Sequence, residues 1–284
     1  MTVAADLTPI SKTAFYCCGM RAEDARSPRS LCADIYAQDF LTEEGQAIFD
    51  RFHESARQNV STVLRSRIIQ DEIAQHLRAH PDLQVVNIGA GFDSRAFRIA
   101  GGRWFEFDEP AVIEHKNARL PADTCPNPLR RISVEFDKGD LRKALSACDP
   151  AAKTLIVIEG VFMYLTREQT VDLLRTLRVA LPEHTLVCDL MNKTFFEKHM
   201  GKAYDTIVAL GSEFKLIESE PERLFLDNGY YRDGDPVSVV GRARDFGRIW
   251  VPELLFRTVL KSVRDGYRVH TFGSTSAGSL VRLF

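Results

Sequence analysis

The stretch VVNIGAGFDSRAFRI, Val85 to Ile99, decides the fold. Val85, Val86 and Ile88 are β-branched residues suited to a buried parallel strand. Gly89 and Gly91 then let the backbone turn sharply and approach a ligand closely. Asp93 is placed to cap the helix that follows. The third glycine of the dinucleotide fingerprint G-x-G-x-x-G falls at Ser94, so the pyrophosphate-binding version of the loop is incomplete. By itself the loop reads as a ligand cradle or as a tight structural turn.

Upstream, apolar residues recur at helical spacing from about Asn59 to His80, ending before Pro81. The polar face of that helix carries Arg65 and Arg67, for which spacing alone favours a solvated position. Ser11 to Arg21 is rich in apolar and small residues and reads as docked, and Thr42 caps a helix running towards His53. Downstream, short strands alternate with helices, the pattern of a mostly parallel, doubly wound sheet. The predicted strands are one ending at Gly89, Trp104 to Phe107, Ile132 to Phe136, Thr154 to Ile158 and Thr185 to Cys188, with a helix from Thr166 to Ala180. The C-terminal third predicts helices over Pro221 to Asn228 and Pro252 to Arg264. Its strands, around Tyr230 and from Tyr267 to Phe272, pair antiparallel at one edge. This divides the chain into an N-terminal helical segment, 1–80, and a Rossmann-like part, 81–284, which together can form one continuous domain.

A chain of 284 residues can bury a substantial core, and its 37 basic and 39 acidic residues nearly cancel. No basic stripe interleaved with aromatics points to nucleic acid. The leading MTVAADLTPISKT lacks a signal-like apolar core and no later run approaches membrane-spanning length, so a soluble, cytoplasmic protein is expected. Cys17, Cys18, Cys32, Cys125, Cys148 and Cys188 follow neither a C-x-x-C pair nor a disulfide framework, which predicts reduced thiols and no metal site. Nothing in the sequence sets the number of subunits.

The acids are more informative. Asp108, Asp137 and Glu159 each follow an apolar strand, at the end where open α/β sheets bind ligands. A carboxylate about 20 residues past the glycine loop can accept two hydrogen bonds from a ribose, although Asp108 is also placed to cap the helix after Pro110. Three acids without a phosphate-sized loop suit a cofactor that is cationic near its reactive atom. S-adenosylmethionine has that charge, and Arg65 is a candidate partner for its carboxylate.

Several separated segments carry a resemblance. They are SKTAFYCCGMRA (Ser11 to Ala22), ADIYAQDF (Ala33 to Phe40), LRSRIIQDEI (Leu64 to Ile73), the glycine loop itself, FEFDEPAVIEHK (Phe105 to Lys116) and IEGVFMYLTREQ (Ile158 to Gln169). Together they resemble the leucine carboxyl methyltransferase and tetracenomycin-type O-methyltransferase family. The resemblance implies a Rossmann-like seven-stranded methyltransferase sheet, mostly parallel with one antiparallel edge strand, and an S-adenosylmethionine cofactor released as S-adenosylhomocysteine. It also implies Lys12 and Arg65 at the cofactor carboxylate, Gly89 at the turn, Asp108 at the ribose and Glu159 at the amino group. Asp137, or Asp140 with Leu141, is implied at the adenine. The part after Met191 matches loosely apart from PERLFLDNGYY, so the acceptor is the least transferable property.

A small organic acceptor is expected, a carboxylate before a hydroxyl, because a carboxylate is ionised near neutral pH and needs no base. Tyr164 is the polar aromatic expected to face it, with a packed core tyrosine as the competing reading. His115 and His184 read as structural, and His199 and His270 are not placed. Arg242, Arg244 and Arg248 read as surface charge or as partners of an acidic acceptor. Two other classes share the fold: a nicotinamide-dependent dehydrogenase, which usually needs a third glycine where Ser94 stands, and a binding module without turnover.

Overall fold

The computed structural model describes residues 7–56 and 61–274. Four helices lead: α1 (Pro9–Ala25), α2 (Ala37–Phe40), α3 (Glu43–Ala56) and α4 (Ser61–Ala79). Thr8 starts α1 by accepting the Ser11 N–H at 3.2 Å, with Pro9 in the first turn where no N–H is needed. Phe15 and Cys18 of α1 are fully buried, so the segment is part of the core. Residues 59 and 60, the expected start of α4, lie outside the described residues.

Strands and helices then alternate as β1 (Gln84–Ile88), α5 (Arg95–Arg98), β2 (Arg103–Asp108), α6 (Pro110–Arg119), β3 (Leu129–Ser133), α7 (Leu141–Ala144), β4 (Thr154–Ile158), α8 (Arg167–Ala180) and β5 (His184–Met191). The last third holds α9 (Lys193–His199), α10 (Gly201–Ala209), α11 (Arg223–Leu226), β6 (Tyr230–Arg232), β7 (Val237–Ser238), α12 (Val239–Asp245), α13 (Glu253–Arg257), α14 (Lys261–Asp265) and β8 (Tyr267–Ser274). Seven strands lie in the order β3-β2-β1-β4-β5-β8-β6. The strands β1 to β5 pair in parallel, whereas β8 runs antiparallel to both β5 and β6. The antiparallel strand is therefore second from the edge, and the two-residue β7 adds an eighth strand beside it.

Both faces of the sheet are covered, which is why the strands read as unbroken apolar runs. Val85, Leu155 and Val187 pack with Phe15 and Ile69 of the N-terminal helices. Their neighbours Val86, Ile88 and Ile156 point the other way, into a layer with Leu174 and Phe225. The strand order reverses between β1 and β4, opening a crevice at their C-terminal ends.

Charge also ties the sheet together. Glu106, buried in the middle of β2, lies 2.8 Å from Lys116 Nζ of α6 and 2.9 Å from Arg131 Nε of β3. In α8, Thr166 and Gln169 form a reciprocal capping box. Among the described residues no helix is long and apolar enough to cross a membrane.

Several boundaries differ from expectation. The third strand runs from Leu129 to Ser133, not Ile132 to Phe136, because pairing with β2 begins directly after Pro128, whose carbonyl accepts the Trp104 N–H at 2.8 Å. The helix expected over Pro252 to Arg264 is broken into α13 and α14 near Thr258, whose hydroxyl bonds back to the Leu254 carbonyl at 2.7 Å. The helix expected over Pro221 to Asn228 is only the single turn α11. Asp93 serves the start of α5 one residue outside the cap, accepting the Arg95 N–H at 2.8 Å while Ser94 holds the cap position.

His184 and His270 are buried where β5 meets β8, and burial pushes their pKa values down to about 4 and about 3. Both lie below the ordinary unfolded value near 6.5, so their stabilising effect is complete above that pH and is lost as the pH falls towards the folded values. Each contributes roughly 2 kcal/mol to the difference in stability between pH 7 and pH 5. The thermal midpoint should therefore fall less between those pH values in His184→Gln than in the parent protein. Equal slopes would contradict the assignment.

Candidate functional site

The crevice at the C-terminal ends of β1, β2 and β4 is a cavity of about 850 Å³, within the range of small-molecule sites. The glycine loop forms its floor. Gly89 and Gly91 hold φ of +66° and +46°, and a Cβ at Gly89 would sit 2.5 Å from the Val161 side chain. Asp108, the last residue of β2, accepts the Gly91 N–H at 2.6 Å and the Glu109 N–H at 2.7 Å, so it shapes the loop as well as facing the cavity. Burial raises its carboxyl above the ordinary value despite those two bonds.

The helix α4 delivers Arg65 to the far side of the loop. Spacing favoured a solvated arginine, and the structure overturns this: the Arg65 side chain is 8% exposed. Its Nε lies 3.1 Å from Glu159 Oε1, immediately after β4. Its Nη1 lies 2.8 Å from the Tyr267 hydroxyl and 3.3 Å from Asp189 Oδ2. Tyr267 donates to the same Asp189 oxygen at 2.7 Å, and Gly160 N–H donates to the other at 2.6 Å. Arg95 contacts the second oxygen of Glu159 and pairs with the Asp93 carboxylate at 3.0 Å. Burial alone would raise the Glu159 carboxyl, but the Arg95 and Arg65 guanidiniums outweigh it and hold it below the ordinary value. Arg67, two residues on, is half-buried, pairing with Asp71 at 2.8 Å and donating to the Leu31 carbonyl at 2.7 Å.

Of the residues singled out from sequence, Arg65, Gly89, Asp108, Asp137, Glu159 and Tyr164 line the cavity together. Lys12, Asp140 and Leu141 are not among the lining residues. Lys12 sits half-buried on the first turn of α1 between the lining residues Ser11 and Thr13. Asp137 is exposed in a 3-10 turn that begins three residues beyond β3, Asp140 precedes α7, and Leu141 packs into the core behind it. Tyr164 is buried, its hydroxyl 3.3 Å from Thr13 Oγ1, and burial raises its phenol well above the ordinary value. It is therefore a hydrogen-bond donor near neutral pH and not a base.

None of the described histidines lines the cavity. His115 bonds the Phe40 carbonyl at 2.8 Å, and His184 lies between the Leu181 carbonyl and the Tyr230 hydroxyl. Arg242, Arg244 and Arg248 lie outside the lining, each beside a local acid. The loosely matched C-terminal part does contribute: Met200, Tyr204 and Ile207 from α10 and its approach, with Phe214, add apolar lining, and Ser212, Glu213 and Lys215 add polar lining beside Phe214. Among the described residues no cluster of three His, Cys, Asp or Glu side chains is placed to hold a metal ion. All six cysteines are unpaired.

Sequence reasoning did not single out Arg95, Asp189, Tyr267 or Glu109. For Asp189 a signal existed: an acid inside the apolar run LVCDLM of β5 is costly unless something pairs with it.

The family described as leucine carboxyl methyltransferase matches residues 14–178, which include the glycine loop, the strand-end acids and α4. The chain belongs to that family. It is similar to the tetracenomycin polyketide synthesis O-methyltransferase of Streptomyces glaucescens, 27% identical over 186 residues, covering 64% of this chain and 66% of that protein. It is also similar to a Streptomyces coelicolor protein provisionally named an S-adenosyl-L-methionine-dependent methyltransferase. That match is 40% identical over 120 residues, 40% of this chain and 42% of the relative. The matches to these two relatives thus span between 42% and 66% of the relatives' lengths. A solved DUF574 family protein of Streptomyces avermitilis shares the fold with a TM-score of 0.59 at 14% identity, covering 85% of this chain and 96% of that one.

Gly160 and Arg65 are interdependent. Gly160 holds φ of +68°, and an added Cβ would meet the Arg65 guanidinium at 3.0 Å. Gly160→Ala should lower stability by about 1–2 kcal/mol, read as a lower urea midpoint with an unchanged slope. A variant with the parent's midpoint would show that neither the backbone nor Arg65 is constrained there.

Proposed function

We propose that the protein is an S-adenosylmethionine-dependent O-methyltransferase acting on a small organic acceptor, a carboxylate. The observation that carries this reading is the juxtaposition of a buried arginine and a buried glutamate, Arg65 and Glu159, across the loop formed by Gly89 and Gly91. A charge pair of this kind matches the carboxylate and ammonium of an amino-acid group, one partner for each.

The donor set fits the whole cofactor. Arg65 takes its carboxylate, Glu159 its ammonium, Asp108 with neighbouring Glu109 its ribose hydroxyls, and Asp137 its adenine edge, while Gly89 admits the backbone turn. Family resemblance adds Lys12 at the carboxylate, on the turn of α1 that borders the cavity. Asp140 and Leu141 support the adenine side from behind Asp137. When bound, S-adenosylmethionine supplies an electrophilic methyl group on a sulfonium.

The protein's own contribution is orientation, exclusion of water and a hydrogen bond. Holding two reactants in line contributes on the order of 7–11 kcal/mol to lowering a bimolecular barrier. Met200, Tyr204, Ile207 and Phe214 cover the acceptor side with apolar surface. Tyr164 offers its hydroxyl to an acceptor oxygen. With no described histidine on the lining and the Tyr164 phenol held neutral, the site favours an acceptor that is already ionised. Six unpaired thiols support a reducing compartment, the cytoplasm.

A dinucleotide fits less well. The helix after the loop, α5, has only four residues and gives little dipole for a pyrophosphate, and the Ser94 hydroxyl is turned to buried Asp34.

Calorimetric titration with S-adenosylhomocysteine, S-adenosylmethionine and NAD tests the cofactor. The first two should bind, and binding of NAD alone would overturn the reading. Arg65→Lys, which keeps the charge and loses the planar fork, should weaken S-adenosylhomocysteine about tenfold or more. For the acceptor, radiolabelled methyl transfer to carboxylic acids and phenols should give product that releases methanol in mild alkali. Alkali-stable product would mark an ether and exclude the carboxylate.

A further inference from the structure

Arg65 has three donor positions, and the structure distinguishes them. Nε faces Glu159 at 3.1 Å, and Nη1 is shared by the Tyr267 hydroxyl at 2.8 Å and Asp189 Oδ2 at 3.3 Å. Among the described residues the third, Nη2, meets only the Cys17 thiol at 3.8 Å, a weak acceptor, and it borders Gly160, where a Cβ would come within 3.0 Å. Cys17 and Gly160 both line the cavity. The guanidinium is thus oriented by two of its nitrogens, with the third presented to the ligand space.

What sets that orientation lies behind the arginine. Asp189 is 2% exposed, and its Oδ1 is fixed by the Gly160 N–H at 2.6 Å, which leaves Oδ2 for Arg65 and Tyr267. Tyr267 is 3% exposed and bridges the two, donating to Asp189 and accepting from Arg65. It comes from β8, whose antiparallel pairing sets Tyr267 opposite Met191, two residues beyond Asp189 on β5. Without this anchor the guanidinium, bonded to Glu159 through Nε, would be free to turn about that contact, and Nη2 would no longer be directed at the cavity.

We propose that Asp189 and Tyr267 are positioning residues, which fix the Arg65 guanidinium beside Glu159 so that its Nη2 edge faces the cavity and recognises a ligand carboxylate. This rests on the cofactor reading above and deepens it: the selectivity of the site for the amino-acid group of the cofactor depends on a residue pair from β5 and β8, of which Tyr267 borders the cavity and Asp189 acts from outside its lining.

The test compares two ligands that share the adenosine and thioether and differ in the amino-acid group: S-adenosylhomocysteine, which carries it, and 5′-methylthioadenosine, which lacks it. Each is titrated calorimetrically into the full chain. Tyr267→Phe should weaken S-adenosylhomocysteine about threefold to tenfold and leave methylthioadenosine unchanged, because only the first engages Arg65. Asp189→Asn, which keeps an acceptor for Gly160 but loses the charge, should act in the same direction and more strongly. A parallel loss for both ligands would mean that the pair merely supports the cavity, and no loss for either would mean that Arg65 is held without it. Both results overturn the proposal. If Asp189→Asn fails to fold, Tyr267→Phe, which removes one hydroxyl and keeps the ring, is repeated in an Arg65→Lys background: a loss that disappears there runs through Arg65, and one that persists overturns the proposal. Parent protein that binds neither ligand would refute the cofactor reading itself, a failure visible before any variant is compared.

Discussion

The Arg65 guanidinium connects the N-terminal helices to the sheet, and the geometry of the cavity depends on that link. One side chain from α4 reaches Glu159 after β4, Asp189 on β5 and Tyr267 on β8. Burying an arginine is costly unless its charge is matched and its donors are used. Here two carboxylates and a phenol meet that condition, and the same requirement fixes where the helices sit. A helical layer anchored only by apolar contacts could slide over the sheet at small cost, whereas one that inserts a charge between two strands has a single register.

The glycine loop answers to the same constraint. Gly89 must approach Val161, and Gly160 must approach Arg65, so a glycine with positive φ stands one residue after β1 and two residues after the adjacent β4. Asp108 then ties Gly91 to the end of β2 through its N–H. The loops that form the cavity floor are braced by side chains and by one another, not by long helices behind them: α5 is one turn long.

The parallel core was legible because buried parallel strands leave a strong trace, a short β-branched run ending in glycine or acid, and β1 and β4 were read from it to within a residue. β3 was not, because Ile132, Val134 and Phe136 alternate like a strand while pairing with β2 starts earlier, at Leu129, and its residues are only half-buried. For the site, the strand-end acids were visible as acids, but their partners were not. Arg65 and Arg67 were assigned to one polar face, although two residues turn a helix by about 200° and place them on opposite sides. Asp189 was hidden because the fifth strand was ended at Cys188, three residues before the end of β5, and Tyr267 because nothing local distinguishes a strand-opening tyrosine that reaches an arginine 202 positions earlier. Pairings at that sequence distance exist only once the sheet order is known.

The cavity has two electrical halves, and the contrast bears on the chemistry proposed for it. The floor holds Arg65, Arg95, Asp93 and Glu159 in near balance, so a zwitterionic amino-acid group can exchange partners there without adding net charge. Met200, Ile207 and Phe214 give another stretch of the lining an apolar surface, with Tyr204, Ser212, Glu213 and Lys215 as the polar groups near them in the chain. Transfer of a methyl group from a sulfonium to a carboxylate destroys a positive and a negative charge together, so its transition state is less charged than the separated reactants. An apolar wall therefore disfavours the reactants more than the transition state, provided that the binding of the remaining parts offsets the cost of bringing a carboxylate there. The charged floor supplies that binding away from the reacting atoms, which suits a site that has orientation and desolvation to offer and no histidine among the described residues that line it.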